Sequence, residues 1–198
     1  MIQEIYNPFG IGVVKWSNGV NCGVVTNTVT YGMKTACARL LAGDMSSRPA
    51  FIGYMVGPTG GFTPLDTDDI GTIQSIVSGW GTSGNMFIFP LATIPSVTPA
   101  DNTGTPAEVT FNAVSMTDIS GNVSTNNLFI SSGKSTFVGG IAPGTGDVVQ
   151  AVALLGRPTN NNGQYQLLAW ANLLDGNSIS PMKTSGRELA VYWTITLQ

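Results

Sequence analysis

A chain of 198 residues in which 42% are apolar and only 10% are charged can bury one substantial core and must present a mostly neutral surface. Eight Lys and Arg against eleven Asp and Glu leave a net charge of −3, and without a run of cations the chain is not built to neutralise a nucleic-acid backbone. The absence of histidine excludes Ser-His-Asp and Cys-His triads, histidine general bases and histidine-bearing zinc sites.

Residues 1–26 read as an N-terminal hairpin or as an arm reaching a neighbour, ahead of a single domain over 27–198. The opening MIQEIYNPFGIGVVKW lacks a basic segment leading into an unbroken apolar run, and nothing later approaches eighteen apolar residues in a row. Neither a signal peptide nor a membrane span is therefore expected. Two cysteines, Cys22 and Cys37, are too few for a disulfide scaffold, and both are expected to be reduced and buried.

From Thr30 to Gly43 the sequence TYGMKTACARLLAG places Met33, Ala36, Cys37, Leu40 and Leu41 at three- and four-residue spacing, which predicts an amphipathic helix. Thr30 is the expected N-cap, accepting a backbone N–H, and Gly43 the left-handed stop. Gly32 weakens the helix locally.

Everything after this helix reads as extended: Ala50 to Val56, Ile73 to Val77, Met86 to Phe89, Val109 to Met116, Leu128 to Ile130, Val148 to Leu155, Tyr165 to Leu173 and Leu189 to Leu197, separated by Gly, Pro and Asn clusters. Val148 to Leu155 is apolar almost throughout, as a strand covered on both faces would be; a buried helix would read similarly, and its neighbours favour a strand. In GRELAVYWTITLQ the residues Leu189, Val191, Trp193, Ile195 and Leu197 alternate with Ala190, Tyr192, Thr194 and Thr196, the mark of a half-buried strand. Ser96 to Pro106 and Asn160 to Gly163 read as exposed loops. One early helix and many short strands predict a mainly β fold, an antiparallel β-sandwich or jelly roll.

The motifs that spell chemistry fail on context. Gly79-Trp-Gly-Thr-Ser-Gly84 has the dinucleotide spelling, but a strand rather than a helix is predicted after it, so it reads as a turn. Gly133-Lys134-Ser135 resembles the end of a phosphate loop, yet Leu128 stands where the first glycine belongs. Asp66, Asp68 and Asp69 could gather around calcium, but a solvated acidic turn is the favoured reading. Asp147 with Glu108 or Asp118 could form a carboxylate pair, but sequence separation fixes no distance between them. Trp16, Trp80, Trp170 and Trp193 could line a sugar-binding groove; the strand pattern assigns Trp193 to the core instead. No catalytic, cofactor-binding or metal-binding residue is therefore assigned, and no cofactor is expected.

Four pieces in order carry a family resemblance: VTYGMKTACARLLAG (Val29 to Gly43); FIGYMVGPTGGFT followed by PLDTDD (Phe51 to Asp69); VVQAVALLG with LLAWANLLD (Val148 to Gly156 and Leu167 to Asp175); and GRELAVYWTITLQ (Gly186 to Gln198). Together they resemble small virion proteins of tailed bacteriophages, found as decoration, tail-fibre and baseplate-associated components. The chain departs from that pattern at Gln150 or Ala151, where an acidic residue is common, and in its extra N-terminal segment.

The resemblance implies a building block of the virion, assembled in the host cytoplasm, and not an enzyme. Its expected role is a capsid decoration (cement) subunit, a homotrimer bound to the major capsid protein or other virion structural proteins, with no nucleic-acid or membrane partner. A tail-fibre, baseplate or receptor-binding subunit is the alternative. A carbohydrate-active enzyme is a third class, for which no residue pair can be nominated.

Overall fold

The computed structural model describes residues 9–17, 22–57, 62–80, 85–91, 96–101, 103–112, 148–157, 164–173 and 190–197. Phe9–Ser17 (β1) and Cys22–Val29 (β2) form an antiparallel hairpin. Tyr31–Leu41 (α1) follows, then a single 3₁₀ turn at Met45–Ser47 and the strand Pro49–Gly57 (β3). Ile70–Gly79 is a second helix (α2), and the remaining strands are Asn85–Pro90 (β4), Ser96–Thr98 (β5), Ala107–Asn112 (β6), Val148–Gly156 (β7), Gln166–Asn172 (β8) and Ala190–Leu197 (β9).

The strands join in one sheet of order β4-β3-β7-β8-β2-β1-β9-β6-β5, and every neighbouring pair is antiparallel. The chain is thus mainly β. Residue 26, where the sequence suggests a boundary, lies inside β2, and the hairpin sits between β8 and β9 in the middle of the sheet. Strand β2 pairs with β1 from Cys22 to Asn27 but meets β8 only at Thr28 and Val29, so the sheet changes direction there. Val14, Trp16, Val191, Trp193 and Ile195 from one half share a core with Ile52, Tyr54, Val152 and Leu154 from the other. The sheet therefore curls, and its concave face shares this core with Met33 and Ala36 of α1.

The convex face differs between the halves. Over β3, β7 and β8 it carries Met55, Ala151, Ala153, Leu155, Leu167 and Trp170, covered by Ile70, Ile73 and Val77 of α2. Strand β7 is consequently buried on both sides, as its apolar run predicts.

Several expectations need correction. Ile73 to Val77 is helix rather than strand: Asp69 accepts from Thr72 N and Thr72 Oγ1 accepts from Asp69 N, forming a capping box. With that start fixed, Ile70, Ile73 and Val77 fall on one buried face. Thr30 does occupy the N-cap position, but its side chain caps nothing. Fully buried against β8, its hydroxyl donates instead to the carbonyls of Leu167 at 2.6 Å and Leu168 at 3.0 Å. Cys22 is exposed and Cys37 half-buried; both are free thiols.

Gly43 does take the left-handed stop, at φ +89°, and Ala50 to Val56, Met86 to Phe89, Val148 to Leu155 and the final alternating segment coincide with β3, β4, β7 and β9. Ser96 to Pro106 is not all loop, since β5 occupies its start. Residues 113–116, 128–130 and 160–163 lie outside the described residues.

Candidate functional site

The acidic turn is occupied by its own backbone. Asp68 accepts from Leu65 N at 2.6 Å and Asp69 caps α2, so two of the three carboxylates shape the chain that carries them. Among the described residues no group of three or more potential metal ligands converges. Glu108 lies on β6; Asp118, Asp147 and the Gly133-Lys134-Ser135 segment fall outside the described residues. Of the dinucleotide-like spelling, Gly79 ends α2 and Trp80 follows as its C-cap, while residues 81–84 are likewise outside.

The tryptophans do not form a groove. Trp16, Trp170 and Trp193 are each at most 2% exposed. Trp170 stacks parallel to Phe62 at 5.2 Å, and the same Phe62 ring lies 6.3 Å from Trp80. The segment bearing Phe62 is tied down by Asn172 Nδ2 donating to Phe62 O at 2.8 Å, Thr28 Oγ1 to Pro64 O at 3.3 Å and Tyr31 N to Asp66 O at 2.9 Å. These rings hold a strap against the sheet.

Among the described residues, the convex face of the other half-sheet is left uncovered. Directly paired residues point to the same side of a sheet, so the register defines this face row by row. Val24, Lys15 and Tyr192 lie side by side across β2, β1 and β9. The next row is Thr26, Val13, Thr194 and Thr110, and the third is Thr196, Glu108 and Thr98. Val24 is 57% and Tyr192 48% exposed, and Lys15, Thr26 and Thr98 are exposed as well. Thr110 Oγ1 and Thr194 Oγ1 are 3.2 Å apart. No described helix lies over this half.

The face is nearly neutral, with one cation and one anion among these residues. From Lys15, paired with Tyr192, to Glu108, paired with Thr196, is two strand spacings and four residues. That is roughly 16 Å along the diagonal, too far for an ion pair within one chain. At the sheet's edge, Asp101 Oδ1 accepts from Thr103 N, Thr103 Oγ1 and Thr105 N. The Thr103 hydroxyl leads the donors that pull its carboxyl down to about 2. Burial alone raises the Cys37 thiol and the Tyr165 phenol.

Sequence reasoning missed this face. The alternation in β9 places Tyr192 on its outer side, but only the register brings Val24 and Lys15 beside it. In comparisons with known proteins the chain matches no family model, no curated protein and no solved structure. No described helix is long and apolar enough to cross a membrane.

Proposed function

We propose that the chain is a non-enzymatic structural subunit of a tailed-phage virion, a capsid decoration protein that binds and stabilises the lattice of major capsid proteins. The observation that carries this reading is the open, nearly neutral and threonine-rich sheet face, with Val24 and Tyr192 exposed on either side of Lys15. A wide polar but uncharged surface with a few apolar side chains suits lasting contact with other protein. Binding only the assembled lattice stabilises it by linkage, and modest contacts multiply over many copies.

The sequence pieces that resemble small virion proteins supply the rest of the support. They occupy α1, β3, β7, β8 and β9, and β3, β7 and β8 are adjacent in the sheet. In this reading the curl is the sandwich or jelly-roll body of the subunit, with β2 passing from one layer to the other at Thr28. The exposed loop at residues 99–101 and 103–106 is what an alternative tail-fibre or receptor-binding subunit would turn toward a host glycan.

Copy number in particles purified from the encoding phage tests the assignment by quantitative densitometry. Decoration requires on the order of hundreds of copies per particle, because stabilisation scales with occupied lattice sites. A few dozen copies or fewer would replace decoration with the tail reading, and absence from particles would overturn both.

A further inference from the structure

The two halves of the convex face are treated unequally by the fold. One is closed by α2, while the other leaves Val24, Lys15 and Tyr192 in a row across three strands, with threonines in the rows below. This open face covers five strands by about six residues, roughly 20 Å by 20 Å. Its projected area is thus at most about 400 Å², half of the ~800 Å² per partner of a standard interface, as suits a reversible pair.

Its two charges are placed for one kind of occupant. Lys15 sits in the first row on β1 and Glu108 in the third row on β6, with Thr194 of β9 midway on the diagonal between them. A two-fold axis lying in the contact plane, passing Thr194 and perpendicular to that diagonal, sets each Lys15 opposite the other copy's Glu108. Both charges are then answered at once, as an isologous contact requires.

We infer that this face is where two copies of the chain pack against each other, with Lys15 of each copy paired to Glu108 of the other. The inference rests on the proposed structural role and assigns the open face to a second copy, so that the subunit meets the lattice as a pair, through its other surfaces. Threonine hydroxyls and the Val24 and Tyr192 side chains fill the ground between the paired charges, and like-charge contacts disfavour other registers.

Sedimentation velocity over a concentration series tests this, using the full chain, K15E, E108K and K15E/E108K in reducing buffer so that the exposed Cys22 thiol links nothing. Thermal melting by circular dichroism confirms that each variant is folded. The full chain should form a reversible pair. Either single reversal, which sets like charges against each other at both ends, should weaken pairing about tenfold or more, and the double reversal should restore it to within about threefold.

Y192K should weaken pairing without changing the melting temperature, and it keeps the test decisive if one charge reversal fails to fold. A full chain that stays monomeric at every concentration would overturn the inference. So would an oligomer, a trimer for instance, that is indifferent to the single reversals, or a double reversal as weak as the singles. Because the virion role is decided separately by copy number in particles, a monomeric protein found abundantly in virions would sink this interface and leave that role standing.

Discussion

At Gly32 two local rules give opposite signs, and the packing decides between them. Alanine is favoured over glycine inside a helix by about 1 kcal/mol, so helix propensity alone makes G32A stabilising. A Cβ at this position, however, would run into the carbonyl oxygen of Leu167 on β8. Gln166 Nε2 also donates to Gly32 O at 3.1 Å, so the helix cannot lift away without losing a bond. G32A should therefore destabilise the fold by about 1–3 kcal/mol, read as a lower urea midpoint at unchanged slope. Asp101 is a second case in which one side chain organises its surroundings. Its carboxylate is favoured by three donors, so its folded pKa of about 2 lies below the ordinary 3.8. Any contribution to folding is then fully present above pH 3.8 and is lost as pH falls through about 2. Carbon-detected NMR titration should place the Asp101 midpoint near 2; a midpoint near 3.8 would mean that the loop is not held as described.

Among the elements, α2 shows where sequence reasoning stops and why. Ile70, Thr72, Ile73, Ile76 and Val77 are β-branched, and such residues favour strands over helices, so a short apolar run around them reads as a strand. The capping pair Asp69 and Thr72 carries no clear signal, since Thr72 stands where the usual signature has Glu or Gln, and the acidic stretch around Asp69 invited a metal reading instead. D69A should remove this start, cost about 1 kcal/mol and loosen the cover that α2 places over Met55, Ala153 and Leu155. Faster hydrogen exchange confined to α2 would show the effect. Strands with strict alternation or a continuous apolar run were readable because one residue period determines their burial: Val191, Trp193 and Ile195 are buried while Tyr192 is exposed. The open face was not readable, since its rows depend on β2, β1, β9 and β6 lying side by side. Register between strands far apart in sequence is a tertiary fact that no local pattern contains. Thr30 follows the same logic: its position at the helix start was visible, but the β8 carbonyls that take its hydroxyl lie about 137 residues further along the chain.

For the whole molecule, the central position of the hairpin decides what can fold alone. A chain read as an N-terminal segment plus a main domain from residue 27 predicts that the second part stands by itself. In the sheet, β1 is the partner of both β2 and β9, and β2 joins the two halves through β8. Removing residues 1–26 deletes β1 and most of β2, strips β9 of one of its two neighbours and takes Val14, Trp16 and Val25 out of the shared core. Burial of those three side chains contributes about 5–9 kcal/mol, against a net stability of about 5–15 kcal/mol for a typical domain. The vacated strand positions would also expose unpaired backbone edges on both sides of the gap, which invites association. A fragment of residues 27–198 should therefore show no cooperative thermal transition and weak near-ultraviolet circular dichroism, while adding a peptide of residues 1–29 should restore both signals. A sharp transition from the fragment alone would mean that the hairpin is an appendage to an already complete core.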